Sequence, residues 1–331
     1  MGETGRKMNN RDRGYDSKVC IKYIKIGSKV GASSLLVAVL VYQIGVESLI
    51  EQMRSADPIL LIWSMVILFI SNLLQAWQWK LLLNAQKVYL SWSDTIVSYL
   101  AGIFFNNFLP ANIGGEVLKI YDIGRKTGKR KAVFAATFFD RLLGMLILAG
   151  LALFFSFFAL RISQLNGIIL LIAVFFLATI IGVFLLLNSR TSQWMVDIIN
   201  RASRNMAGNR IQSIRDAIFL YSDKIPFLRW LTILSLAIQL LRISTHYIIA
   251  LSLGINYISG LYFFIFIPIL GVLMLMPVSI SGFGVREGAG ILLFANVGVP
   301  SAHAFSIEFI AGIVNLATAL IGGVVFLFKN D

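Results

Sequence analysis

Cysteine and histidine are almost absent from this chain: Cys20 stands alone, and His246 and His303 are the only histidines. One thiol excludes an internal disulfide and any multi-cysteine metal site, and two distant histidines form no HExxH ligand pair. Carboxylates are scarce too, 16 Asp and Glu against 29 Lys and Arg, for a formal charge of +13. There is no Walker A pattern, no nucleophile with its base and no carboxylate-rich loop of the kind a metal-dependent glycosyltransferase needs. No cofactor, bound metal or ATP-driven step is expected, and the chain is not expected to be an enzyme. A removable signal peptide is not expected either, because the first apolar run is long enough to remain as an anchor and has no small-x-small cleavage site.

What the chain has instead is apolar length. Hydrophobic residues make up 58% of 331, and mean hydropathy is +0.81. That is far more apolar surface than one soluble core can hide. Several runs exceed the ~20 residues that cross ~30 Å of hydrocarbon, without the alternation of a membrane barrel, so an all-α polytopic membrane protein is expected. The Lys and Arg lie in tails and loops beside these runs. This placement fits the positive-inside rule and anionic lipid headgroups at the cytoplasmic face, and it argues against nucleic acid as a partner.

Charge placement also predicts topology. Residues 1–25 form a basic cytoplasmic tail with Arg6, Lys7, Arg11, Arg13, Lys18, Lys22 and Lys25. Span one (26–46) runs outward to a connector with Glu47, Glu51 and Asp57, and span two returns from Pro58 to Lys80 and Lys87. The next apolar run, 91–109, is followed by Lys119, Arg125, Lys126, Lys129, Arg130 and Lys131, so both its flanks read as cytoplasmic. A re-entrant pair of half-helices turning at Pro110–Gly115 reconciles the two. Spans four (132–160) and five (165–187) follow, then an Arg-rich cytoplasmic loop 188–229, partly interfacial helix. Span six (230–254), a second re-entrant pair (261–297) entered from outside, and span eight (303–328) complete the series. Residues 26–160 and 161–331 thus read as two transmembrane repeats of opposite orientation, with about six full spans, two re-entrant pairs and both termini cytoplasmic. Trp77, Trp79, Trp92, Trp194 and Trp230 flank the cytoplasmic connectors as an interfacial belt.

The two breaks are the chemically informative stretches. Asn106–Glu116 sets Asn106, Asn107, Pro110, Asn112, Gly114, Gly115 and Glu116 at the end of an apolar run. Met276–Glu287 repeats the design with Pro277, Ser281, Gly282, Gly284, Arg286 and Glu287. Broken backbone leaves N–H and C=O groups that lipid cannot satisfy, so it must line protein or a wet cavity. Half-helix ends there expose N–H groups and a positive dipole end to an anion such as phosphate. Simple kinking of packed helices is the plainer explanation for one break; two in corresponding places favour a substrate site.

Three stretches, NNFLPANIGGEVLK from Asn106, FFDRLLGML from Phe138 and PVSISGFGVREG from Pro277, resemble the signatures of the transmembrane, flippase-like domain of lysylphosphatidylglycerol synthases. The resemblance covers nearly the whole chain from residue 26. It implies a domain that moves a lipid between leaflets; in the synthases that lipid is aminoacylated phosphatidylglycerol. The chain stops at Asp331, without the soluble aminoacyl-transferase domain, so lipid synthesis is not implied and a stand-alone member is expected. Lys119 stands where such sequences often carry arginine, which keeps the charge and loses bidentate phosphate geometry.

Ionisable groups inside apolar runs complete the candidate site, since each costs at least ~2.5 kcal/mol at the bilayer centre unless paired. Glu116, Lys119, Asp140, Arg141, Arg242, Arg286 and Glu287 are these groups. Asp140 and Arg141, adjacent on one helix, are expected to take different partners. Glu116 and Arg286, one from each break, are expected to pair, either at the substrate or as a structural tie between the halves. Gln239, Arg242 and His246 share one helix face and Glu308 and Asn315 another; an interhelical hydrogen bond is the simpler role for His246, a proton relay the sharper one. Together these features predict a flippase-like transporter or scramblase of a phosphate-containing phospholipid or polyprenyl lipid in a prokaryotic cytoplasmic membrane. Its rivals are an accessory subunit of a cell-envelope glycosyltransferase or lipid-modifying complex, with that enzyme as partner, and an intramembrane transferase. Self-association into a homo-oligomer is open.

Overall fold

A computed structural model describes residues 54–108, 114–159, 166–187, 225–274 and 284–328, with Tyr42, Glu47, Ile50, Phe219, Tyr221 and Gly282 besides. All regular structure among the described residues is helical. Helix α1 is Pro58–Ala85, α2 is Trp92–Phe108, α3 is Gly114–Thr127 and α4 is Arg130–Ser156, closed by a 3-10 turn at Phe157–Ala159. Helix α5 is Asn166–Leu187, α6 is Ile225–Ser252, α7 is Gly260–Leu273, α8 is Val285–Ala295 and α9 is Ser301–Phe328.

Four of these, α1, α4, α6 and α9, are long and apolar enough to cross a bilayer, so the chain is a multi-pass membrane protein. Helices α2, α3, α7 and α8, of 17, 14, 14 and 11 residues, each fall below the ~20 residues a crossing needs. The expected span 26–46 apart from Tyr42, residues 188–218 of the expected loop 188–229, and both turn segments, 109–113 and 275–281, lie outside the described residues. Helix ends follow local chemistry. Asp57 caps α1, its carboxylate accepting from the Ile59 N–H at 2.8 Å, with Pro58 in the first turn, where no N–H is needed. Helix α6 starts five residues before the expected Trp230 because Pro226 is tolerated in a first turn. Helix α7 stops at Leu273 rather than Met276, in keeping with the disfavoured helical conformation ahead of Pro277.

Packing places the short helices between the long ones. Helix α1 lies along α6, α2 packs on α3 and α9, α7 packs on α8 and α4, and α3 and α8 lie against α4 and α9 respectively. The ends of each short pair come together. Lys129 Nζ, after α3, donates to the Lys87 carbonyl, before α2, at 2.8 Å. Tyr257, before α7, hydrogen-bonds His303 Nδ1, on α9, at 2.8 Å. These two clasps sit at opposite ends of α1, because the Asp57 N–H at its start donates to Ser252 O, at the end of α6, at 2.7 Å.

Seams between helices are tightened by small residues, as expected where lipid removes the hydrophobic drive and contact itself holds helices together. A Cβ on Gly115 of α3 would lie 1.8 Å from the Gly102 carbonyl oxygen of α2, and one on Gly322 of α9 would lie 2.5 Å from the Leu100 oxygen of α2. Only glycine permits either approach. One apolar cluster gathers Phe263 and Phe266 of α7 around Phe294 of α8, ring centroids 5.1 Å apart in each case. The other surrounds Trp79 and Tyr221, whose hydroxyl donates to Leu82 O at 3.0 Å. Burial pushes the Tyr221 phenol up and keeps it a donor. Exposed Ile59, Ile62, Trp63 and Val66 on α1 and Leu170, Val174, Leu177 and Ile181 on α5 form the apolar belt that lipid covers.

Candidate functional site

The first break is bridged by one side chain. Asn106, at the end of α2, accepts from the Gly115 N–H at 2.7 Å and donates to Glu116 Oε1 at 3.1 Å. It thereby satisfies a first-turn donor of α3, as an N-cap does from within the chain. Glu116 Oε1 also accepts from Arg141 of α4, through Nε at 3.1 Å and through Nη2. Glu116 Oε2 is buried with no hydrogen-bond partner among the described residues. One turn further, the stem of Lys119 lies over Gly102. Its buried ammonium sits 4.2 Å from the Tyr99 ring centroid and 5.1 Å from that of Trp79, where the ring faces replace part of its hydration.

Asp140, adjacent to Arg141, faces elsewhere and accepts from Gln78 Nε2 of α1 at 2.9 Å. The two neighbours thus take separate partners, as expected. On α6, Gln239 donates to the Gly144 carbonyl at 3.4 Å and Arg242 to Asn72 Oδ1 at 3.4 Å. Arg242 has no carboxylate within salt-bridge reach among the described residues. His246, one turn on, meets Glu308 Oε1 at 3.1 Å through Nδ1.

At the second break, Glu287 Oε2 accepts from the Gly284 N–H at 2.6 Å and Oε1 from Arg286 Nη2 at 2.7 Å. Arg286 Nε also lies 3.9 Å from Glu308 Oε2. Asn315 of α9 donates to Asn107 Oδ1 of α2 at 3.1 Å. The expected pairing of Glu116 with Arg286 is therefore replaced by two separate sets. Helix α3 packs on α4, which gives Glu116 to Arg141. Helix α8 packs on α9, which brings Glu308 to Arg286 beside its own neighbour Glu287.

These groups line three adjoining cavities of about 380, 320 and 310 Å³ that share Ile103 and His246. Glu116, Lys119, Asp140, Arg141 and Arg242 line the first, Asn107, Arg286 and Asn315 the second, and Arg242 and Arg286 together the third. Pro110, Asn112, Pro277 and Ser281 lie outside the described residues. Sequence reasoning missed the α1 contribution. Asn72, Gln75 and Gln78 are buried, and Gln75 and Asn72 line the cavities. Three amides at i, i+3 and i+6 in an apolar run are a readable inward-facing stripe. Among the described residues no group of three or more His, Cys, Asp or Glu could hold a metal ion.

Residues 26–323 match the family model described as the lysylphosphatidylglycerol synthase TM region. A UPF0104 membrane protein of Methanothermobacter thermautotrophicus is 23% identical over 305 residues, covering 83% of this chain and 86% of its own length. A UPF0104 membrane protein of Pyrococcus horikoshii is 26% identical over 321 residues, covering 89% and 94%. No solved structure matches.

Proposed function

The chain belongs to the lysylphosphatidylglycerol synthase transmembrane-region family, and on that premise we propose that it is a flippase-like transporter or scramblase for a lipid with a phosphate-bearing headgroup, held at Arg242 and Lys119. The observation that carries this reading is the charge of the first cavity. Lys119, Arg141 and Arg242 face it against Glu116 and Asp140, leaving one positive charge in excess. Arg242 contacts an amide oxygen where a carboxylate is the usual partner. A guanidinium in a membrane interior without a counter-ion is costly, and an anionic ligand removes that cost. A cavity of about 380 Å³ suits a headgroup, at the lower end of the ~300–1,000 Å³ of small-molecule sites; the acyl chains must then leave it between helices.

The packing supports two inverted repeats, with α2–α3 and α7–α8 as re-entrant pairs. Exchanging α1–α4 for α6–α9 carries the contacts α2 on α9 and α7 on α4 into each other. The clasps at Lys87–Lys129 and Tyr257–His303, at opposite ends of α1, fit pairs that enter from opposite sides. Reconstitution tests the function: wild-type chain in liposomes is expected to speed leaflet exchange of phosphatidylglycerol but not of diacylglycerol. Arg242→Gln is expected to lower that rate at least tenfold. Equal exchange of both lipids, untouched by Arg242→Gln, would refute the phosphate reading.

A further inference from the structure

The second break carries the opposite charge from the first cavity. Arg286 stands against two carboxylates, Glu287 at 2.7 Å and Glu308 at 3.9 Å, both with fully buried side chains. With a neutral His246 this set holds one excess negative charge; with one proton on the His246–Glu308 pair it is neutral. Helices α3 and α4 bring Glu116, Lys119, Asp140 and Arg141 to the first cavity, which His246 also borders, and these belong to the positive set. Helix α8 brings Arg286 and Glu287, α9 brings Glu308, and α6 itself brings Arg242 one turn from His246. Helices α1 and α2 bring the uncharged Asn72 and Asn107, and α7 brings Ile267, Leu270 and Gly271. The turn segments 109–113 and 275–281 contain no ionisable side chain, so they do not alter the balance.

We propose that His246 and Glu308 form a proton-binding site, filled in step with the anionic headgroup. Glu308 has one oxygen on the imidazole at 3.1 Å and the other without a hydrogen-bond partner among the described residues. His246 borders all three cavities, so a proton that enters any of them meets the pair. It resides as imidazolium facing carboxylate or as carboxylic acid facing imidazole; the net charge is the same. The two cavity sets, one positive and one negative, sum to zero when empty. A phosphodiester alone leaves the whole negative, a proton alone leaves it positive, and the two together restore neutrality. Buried charges are poorly screened over such distances, so each ligand strengthens the other by the same factor. The linkage to the headgroup rests on the phosphate reading above; the proton site does not.

The test uses the purified full chain in nanodiscs with phosphatidylglycerol as probe and diacylglycerol as control. Wild-type protein is expected to take up close to one proton per phosphatidylglycerol bound in weakly buffered medium. Its affinity is expected to tighten by up to about tenfold per pH unit lowered. Glu308→Gln is expected to keep binding while losing both the proton uptake and the pH dependence. Binding without proton uptake, or pH dependence that persists in Glu308→Gln, would overturn the coupling. If phosphatidylglycerol binds no better than diacylglycerol, the phosphate reading fails, and a second measurement decides the proton site alone. With His303→Gln, His246 is the one imidazole left, and its 15N signal can be followed between about pH 5 and pH 9. A reversible change that is altered in Glu308→Gln supports the site. An invariant ring, together with an invariant carboxyl infrared band, overturns it.

Discussion

Glu116 shows how a residue singled out from sequence can be given the wrong partner. Its position in a broken apolar run marked it as a site carboxylate, and the structure buries it in the cavity wall. Which cation it meets depends on helix packing, and α3 lies on α4, so Arg141 reaches it. Asp140 and Arg141 were legible as a divergent pair because adjacent helix positions point apart. The α1 amides were overlooked because uncharged polar residues perturb hydropathy less than charges do. Glu116→Gln removes the carboxylate that Arg141 pairs with and is expected to destabilise the protein by ~2 kcal/mol. That is less than the ~3–5 kcal/mol of a fully buried pair, because the Arg141 side chain is 32% exposed. The double variant Glu116→Gln, Arg141→Gln is expected to recover part of the loss, and thermal unfolding in detergent gives the coupling. Additive losses would show that the pair does not act as a unit.

At the scale of helices, charge pattern and hydropathy make different predictions. Hydropathy alone makes 91–109 a span, whereas the basic residues on both its flanks lead to the expectation of a re-entrant pair. The Lys129–Lys87 hydrogen bond brings those flanks together. Helix boundaries were less legible, because Pro226 and Pro277 act within a turn of the helix end, at a grain finer than an apolar window. Cysteines introduced as Lys87→Cys and Lys129→Cys are expected to label from one face of the membrane, and those introduced as Tyr257→Cys and His303→Cys from the other. Labelling of Lys87→Cys and Lys129→Cys from opposite faces would rule out the re-entrant pair.

For the whole molecule, the basic excess lies mainly outside the apolar runs while the cavity is nearly balanced, so binding and surface charge should respond differently to salt. Phosphatidylglycerol is expected to raise the unfolding temperature of the detergent-solubilised protein more than diacylglycerol does, by mass action on the folded state. That stabilisation should survive a chelator, since in the proposed site the headgroup is held by Arg and Lys. It should fall only modestly between low and ~0.15 M salt, because partly buried charges are weakly screened. Collapse of the effect at that salt would assign it to the exposed basic loops.

The glycine seams decide where a lipid's tails can pass. Gly115 against the Gly102 carbonyl and Gly322 against the Leu100 carbonyl bring backbone onto backbone on two sides of α2, and no hydrocarbon chain slips through such a joint. Helices α4 and α7 meet otherwise: the nearest atom to a Cβ on Gly271 is Leu148 Cδ2, at 2.7 Å, a side-chain tip that can swing aside. Leu148 and Gly271 both border the first cavity, so under the proposed function their seam is the expected side door for the lipid's tails. Leu148→Trp should jam that door, slowing leaflet exchange of long-chain phosphatidylglycerol while leaving binding of a short-chain, water-soluble analogue intact. Comparing the two on one variant separates the passage of the tails from the holding of the headgroup.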